Sequence, residues 1–576
     1  MLCDACRFPG VWWSQLQRLY GWFSFCGHSS CPHREASVNL HYDYILIGSG
    51  VAATVLTQSL LDSDPNKAIL ILEAGPRIEL RDRRSWWDIA ILGKETSPPY
   101  EKTYDVESGT DAESSWTGTQ WGFKESRVRA LGGSTLHWGG WSLRYQPEDF
   151  ELFSRTGKGA DWPFSYDELE PWYTAAETLL SVGGIADEPG PPRTSPYPLP
   201  AFPWSAHEAL LADAFDARKL VPGHMPIARF KRCMTTGTCK YCPIGSRYTA
   251  TDHLASLLQN PAHIGLSLKT DSPVIRLVAG PSRVHGVRVL NINNGSEEVI
   301  MANCIVVCAG AYESPKLLLR STSEHWPNGI GNRYDQVGRY LVTHTMVRVR
   351  GTLEKNDEHW FQEYDFPTLM SRTWDNPDRQ SAGKVFVFNN RSLPNIDIAS
   401  LMSEGKSRQQ IDQIIGGPRN AGLDAFVEEF GVFNNRITLG AGVGKFGLPH
   451  THVHFERNAD FQAVTSKVLE EMMLILNSAG YQPASVKPTD VQIPRGDHSS
   501  GTCRMGKDET SSVTDLNLQV HGLENLYVCS NAVLPNASAV NPTLTLTALA
   551  LRLGTYLSDK VPQLLAQETE IHAKST

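Results

Sequence analysis

The segment from Tyr44 to Gly75 constrains this chain more than any other. It runs as a short apolar stretch, YILI, then Gly48-Ser49-Gly50-Val51-Ala52-Ala53, then a helix-period stretch with Val55, Leu56, Leu60 and Leu61, and a second apolar stretch, ILIL, closed by Glu73. Two apolar runs joined by a glycine-rich turn and an amphipathic segment predict a βαβ unit. The glycines of G-x-G-x-x-A let the backbone approach a pyrophosphate seated at the helix N-terminus. Glu73, 23 residues after Gly50, is placed to accept hydrogen bonds from both hydroxyls of a ribose. An acid there, in place of an arginine, disfavours a 2′-phosphate and leaves FAD or NAD. Gly48, Gly50, Ala53 and Glu73 are therefore the first candidate cofactor contacts.

Composition narrows the function. The chain has 576 residues, 41% hydrophobic and 20% charged, enough apolar surface to bury a large core. With Lys+Arg 53 against Asp+Glu 62 the formal charge is -9, and no long basic run is present, so nucleic acid is not an expected partner. No stretch approaches the ~18 uncharged apolar residues of a membrane span. Residues 9 to 26 are aromatic-rich, but Gln15, Gln17 and Arg18 interrupt them and no small-residue cleavage site follows, so no signal peptide is recognised. The expectation is an intracellular, cytoplasmic protein acting on a small molecule. Eleven cysteines are too dilute for a disulfide scaffold. Cys3, Cys6, Cys26 and Cys31, with His28 and His33, fall in a segment without periodicity. That segment reads as an extension, with zinc binding as an alternative whose spacing fits no standard finger.

Along the chain, 148 to 186 turns helical, with Ser165 as a candidate N-cap, and a proline-rich linker follows at 189 to 203. Strand patterns return at 266 to 279 and 285 to 292, and CIVVCAG at 304 to 310 is a buried run meeting a helix. TMVRVRGTL and THVHFERN read as strands of an antiparallel sheet, and the last 80 residues hold an apolar strand, NLYVCS, and a long helix. A second glycine-rich turn, Leu131-Gly132-Gly133-Ser134-Thr135-Leu136-His137-Trp138-Gly139-Gly140, would lie along an isoalloxazine, which favours FAD over NAD. Near the C-terminus stand His498-Ser499-Ser500-Gly501-Thr502-Cys503-Arg504-Met505-Gly506 and, 43 residues past His498, Asn541-Pro542-Thr543.

At these residues the sequence resembles the glucose-methanol-choline (GMC) oxidoreductases. The resemblance is nearest the branch of bacterial FAD-dependent glucose dehydrogenase and gluconate dehydrogenase, with pyranose oxidase more distant. It runs from about Tyr42 to Leu557 and also takes in Asp161-Trp162-Pro163, YPLP at 197 to 200, GAYESPKLLL at 310 to 319 and Val337-Gly338-Arg339. It fades over 350 to 480. The resemblance implies a discontinuous Rossmann-like FAD-binding domain of α/β class with an inserted α+β substrate domain built on an antiparallel sheet. The implied boundaries are an extension over 1–40, FAD-binding parts at 41–147, 225–345 and 491–563, a helical and proline-rich insertion at 148–224, the substrate-binding domain at 346–490 and a tail at 564–576.

The family's base lands on His498 and its second polar partner on Asn541. Histidine suits the task, since its pKa of about 6.5 lets it take a proton from an alcohol near neutral pH. Gly132, Gly133, Ser134, Thr135, His137, Val274, Ala309, Pro542 and Thr543 complete the implied FAD contacts. His137 matches a histidine that bonds covalently to the flavin in pyranose oxidase, whereas relatives with the same turn hold FAD noncovalently; the noncovalent form is expected and the covalent form is the alternative. Cys233, Cys239 and Cys242 resemble a loop that ligates a [3Fe-4S] cluster, although the second gap is one residue short, so cluster and structural loop both stay open. Ser530-Asn531 stands where many members have an aspartate. The implied reaction is oxidation of the CH-OH of a sugar, polyol or secondary metabolite by hydride transfer to flavin N5, with O2, a quinone or a redox protein as electron acceptor and a dehydrogenase favoured. The alternatives are an oxidase using O2 and a non-redox lyase that keeps FAD structurally.

Overall fold

The structure, a computed structural model, describes residues 41–78, 114–123, 126–204, 206–229, 233, 242, 244–353, 366–374, 384–392, 398–417, 419–444, 447–483 and 493–575. The cysteine-rich stretch 1–40 and Cys239 lie outside them.

Strand β1 (His41–Ile47) leads through the glycine turn into helix α1 (Val51–Ser63) and then β2 (Ile69–Leu72), which pairs with β1 in parallel from Tyr44↔Ile69 to Ile47↔Leu72. All four residues of β2 and the last four of β1 are buried, as parallel strands covered on both faces must be. A long excursion follows, carrying α2 (Tyr166–Leu180), α3 (Ala206–Ala217) and α4 (Ala250–Gln259). The chain then returns as β3 (Leu266–Lys269), β4 (Val274–Ala279), β5 (Val284–Leu290) and β6 (Glu297–Val307), followed by α5 (Gly310–Arg320). Sheet order is β3-β2-β1-β6-β5-β4, with β3, β2, β1 and β6 parallel. The order reverses between β1 and β6, so a crevice opens beyond their carboxyl ends, the place where such sheets take ligands.

A second sheet is antiparallel. Its main strands are β7 (His344–Leu353), β8 (Leu369–Ser371), β9 (Val385–Ser392) and β10 (Arg419–Glu428), in the order β7-β10-β9-β8, with Gly223–His224 at one edge and Gln482–Pro483 and Ile493–Pro494 beside β7. Alternation along the strands gives it two apolar faces. Val347, Val349, Val385, Val387, Leu423 and Ala425 pack with α3 and with α6 (Phe461–Ser478), while Met370, Phe386, Phe388 and Phe426 join the core of the first sheet. His344 and Met346 share that second face. The THVHFERN strand departs from expectation. Pro449–Phe455 pairs in parallel with Ser114–Gly118 and antiparallel with Arg436–Val443, forming a small sheet of its own.

After this sheet the chain re-enters the first one as β11 (Leu526–Val528), parallel to the end of β6, and closes with α7 (Thr543–Ser575). Helix α7 lies on α1 closely enough that a Cβ at Gly554 would sit 2.5 Å from that of Ser59. The Tyr44 hydroxyl donates to the Leu557 carbonyl at 3.2 Å, tying the last helix to the first strand. Among the described residues no helix is long and apolar enough to cross a membrane.

Candidate active site

A cavity of about 270 Å³ occupies the crevice, lined by Gly48, Ser49, Gly50, Glu73, Gly133, Ser134, Thr135, Val274, Ala309, Asn531 and Thr543 among others. Gly48 has φ +103°, and a side chain there would meet the Cys308 carbonyl at 2.7 Å, so only glycine makes the turn between the adjacent strand ends. A Cβ at Gly50 would meet nothing within 4 Å, which leaves open space at the N-terminus of α1 where a pyrophosphate would face the helix dipole. Glu73 is 6% exposed; its Oε2 accepts from the Ser49 hydroxyl at 2.5 Å and its Oε1 from the Gly75 amide at 2.8 Å. Burial pushes its pKa up to about 7 against those hydrogen bonds. Asn531 Oδ1 is buried without a hydrogen-bond partner on the cavity wall, an acceptor waiting for a donor. Open turn, buried acid and orphaned amide together fit FAD.

Four of the expected cofactor residues, Ala53, Gly132, His137 and Pro542, are not among the residues that line the cavity. Ala53 is fully buried inside α1. Gly132 is required by protein packing, since a Cβ there would sit 2.2 Å from Thr251 Oγ1, and its amide donates to Ser49 Oγ at 3.1 Å. Pro542 gives its carbonyl to the Leu546 amide at 2.9 Å in the first turn of α7. His137 lies close enough to Asp497 to help hold that carboxylate ionised.

Where the second sheet meets the cavity, a turn at Gly496–His498 brings the histidine up to Asn541. Asn541 Nδ2 donates to His498 Nε2 at 3.2 Å. The other ring nitrogen, Nδ1, is 2.6 Å from Nε2 of His344, the first residue of β7, which is fully buried and stacked on Phe426 with centroids 4.3 Å apart. His344 Nδ1 in turn is 3.3 Å from the Ser538 carbonyl. Asp497 Oδ2 stands 3.5 Å from His498 Nε2 and is bound through both oxygens by Arg495, at 2.8 and 2.5 Å. Burial lowers the His498 pKa to about 4, opposed by Asp497 and assisted by Arg495. Burial, and then the neighbouring His498, hold His344 well below the ordinary histidine value. Burial alone would raise Asp497, but Arg495, His498 and His137 outweigh it and keep the carboxyl well below its usual range. Both imidazoles are therefore neutral near pH 7.

Phe426 meets the His498 ring edge-on at 5.4 Å, and Trp141 packs on Phe388 at 4.7 Å, so an aromatic wall continues from the histidine along the sheet. His344, Asp497, Arg495 and Phe426 were not legible as site residues. Asp497 had a signal, its place next to His498; His344 is a single histidine in an apolar strand, where a packed core residue is the ordinary reading. Of the three cysteines, Cys233 and Cys242 are described and Cys239 is not. Among the described residues no group of three or more His, Cys, Asp or Glu could hold a metal ion. The [3Fe-4S] expectation thus gains no support and enters no step below.

Comparison with known proteins gives the family. GMC oxidoreductase family models match residues 42–346 and 434–550. The chain belongs to the GMC oxidoreductase family and is an FAD-dependent oxidoreductase. It is 25% identical to the fructose dehydrogenase large subunit of Gluconobacter japonicus, over 91% of this chain and 99% of that one. It is 26% identical to 6'''-hydroxyparomomycin C oxidase of Streptomyces lividus, over 89% and 90%. The fold matches Aspergillus oryzae formate oxidase with a TM-score of 0.64 at 15% identity, covering 90% of this chain and 98% of that one.

Proposed function

We propose that this chain is a dehydrogenase that oxidises a CH-OH group of a sugar, polyol or hydroxylated secondary metabolite, with His498 as the base and Asn541 as its partner. One observation carries the reading: His498 Nε2 and the Asn541 amide meet at 3.2 Å, and Asn541 Oδ1 is buried without a partner. An alcohol whose oxygen sits against both would donate its O–H to Nε2 and accept from Asn541 Nδ2. Bound FAD supplies the two-electron acceptor for the hydride. The chain does the rest: Phe426 excludes water beside the histidine, Asp497 stabilises the imidazolium that proton transfer creates, and Arg495 keeps Asp497 ionised.

The likeness to a fructose dehydrogenase subunit over nearly the whole of both chains supports a dehydrogenase, for which a quinone or a redox protein is the proposed acceptor. The likeness to 6'''-hydroxyparomomycin C oxidase keeps an O2-using oxidase as the second reading. A panel of sugars, polyols and aminoglycosides, assayed with O2 and with a quinone or dye, tests both. Flavin bleaching under anaerobic substrate supports the redox reading, and bond cleavage without bleaching would replace it with the lyase. FAD is read as noncovalent at His137: acid precipitation should release the yellow colour to the supernatant, and colour retained on the polypeptide overturns that.

A further inference from the structure

His344 makes a contact that base catalysis by His498 does not by itself require. Its position is over-determined. Arg495 donates its amide to the His344 carbonyl at 3.1 Å, Thr343 Oγ1 donates to the Arg495 carbonyl at 2.6 Å, and Val342 and Ser500 exchange backbone hydrogen bonds at 3.1 and 2.8 Å. The strand carrying His344 and the turn carrying His498 are thus stitched together on both sides of the pair. The far end is anchored as well. Ser538 adopts φ +50°, and its hydroxyl donates to Asp149 Oδ2 at 3.0 Å, while Asp149 Oδ1 takes Lys384 Nζ at 2.8 Å in a fully buried pocket.

Donor and acceptor bookkeeping along this line follows from its carbonyl end, with Asp497 Oδ2, 3.5 Å from His498 Nε2, taken up by Arg495. A backbone carbonyl only accepts, so His344 Nδ1 carries the proton that faces Ser538. In a neutral ring the other nitrogen, His344 Nε2, is then an acceptor. His498 Nδ1 must therefore be protonated to make the 2.6 Å contact, which leaves Nε2 as the lone pair. The amide obeys the same rule, since an Nε2 lone pair accepts from Asn541 Nδ2 and leaves Asn541 Oδ1 on the far side of the amide, buried and unpartnered. Had Nε2 carried the proton, His498 and His344 would meet lone pair to lone pair.

We propose that His344 is a positioning residue that locks His498 in the Nδ1–H tautomer, so that a basic Nε2 faces the substrate hydroxyl. The line ends at a carbonyl, which cannot take up a proton and pass it on, so His344 fixes the base without conducting its proton away. This rests on the base assignment to His498.

Two measurements test it in the FAD-loaded protein. In 15N-histidine-labelled wild type at pH 7, His498 should show a protonated Nδ1, an unprotonated Nε2 and a nitrogen-to-nitrogen coupling to His344 Nε2; a protonated His498 Nε2 overturns the proposal whatever the enzyme oxidises. His344→Gln keeps an acceptor near the Nε2 position, while His344→Phe keeps a flat ring on Phe426 without one. With FAD content unchanged, His344→Phe should slow anaerobic flavin reduction by roughly tenfold or more and give a mixed His498 tautomer, and His344→Gln should recover most of both. Reduction by His344→Phe at the wild-type rate overturns the proposal. If His344→Phe fails to fold, the wild-type tautomer and His344→Gln still decide it. If no alcohol bleaches the wild type, the proposed reaction has failed, and the tautomer is read independently.

Discussion

With His498 as the proposed base, its burial should place the acid limb of flavin reduction far below the ordinary histidine range, and the size of the effect follows from the site. With the His498 pKa at about 4, the neutral base is about 91% populated at pH 5; at the unperturbed value of about 6.5 it would be about 3%. The rate of flavin reduction at pH 5 should then be about thirtyfold higher than an ordinary histidine would allow. Of the neighbouring groups, Asp497 is held ionised and His344 is held well below the ordinary histidine value, so neither adds a limb near 6.5. Glu73, at about 7, does titrate in this window, so FAD occupancy must be checked at each pH. Anaerobic stopped-flow on the holoenzyme should give a limiting reduction rate that is flat from pH 8 to about 5 and falls below about 4. Asp497→Asn should move the limb lower still. The carboxylate at 3.5 Å favours the imidazolium by a ceiling of about 5 kcal/mol at an effective dielectric of about 20, and Arg495 would lose its partner. A wild-type limb near 6.5, or an upward move in Asp497→Asn, would refute the argument that burial dominates.

Three further outcomes are expected. His498→Ala should slow flavin reduction by roughly 10²–10⁴-fold with FAD still bound, and Asn541→Ala should be milder because the proton acceptor remains, both read by stopped-flow. Gly50→Arg should abolish FAD binding by filling the open space at the N-terminus of α1, measured by flavin content, while the variant melts near the temperature of the FAD-free wild type. His498 should also couple stability to acid. Its folded pKa is depressed, so between about 6.5 and 4 the unfolded chain binds a proton the folded one does not, and stability present above 6.5 falls by about 3 kcal/mol as pH drops to 4. Denaturant titrations at the two pH values should show that slope reduced in His498→Ala.

Local signals were the legible ones. Gly48 to Glu73 combines turn, helix period and acid in one short stretch, and Ser165 caps α2 with Glu168 reaching back to its amide, because those interactions are made within a few residues. The Gly132–Thr251 approach and the His344–His498 contact span 119 and 154 positions, and nothing within either local segment declares the partner. THVHFERN falls on a strand, as its alternation predicts, but alternation shows only that one face is buried. The partner strand, here Ser114–Gly118, is a tertiary choice.

The double pairing of β6 has a bearing on how the chain comes to be folded. Its first half is zipped to β5 across a short hairpin, but its second half waits on one side for β1, some 260 positions earlier, and on the other for β11, 221 positions later. Loop closures of that length are slow to reward, and topologies of this kind fold late and through intermediates. During synthesis, Ile305, Val306 and Val307 must hold an unpaired apolar edge until residue 526 has emerged. The cavity needs Thr543 as well as Gly48, so FAD cannot find its complete set of contacts before then. Cofactor supply should therefore govern the yield of mature protein at the last step of assembly, and FAD shortage should show up as loss of completed chains to aggregation more than as lowered affinity in the finished enzyme.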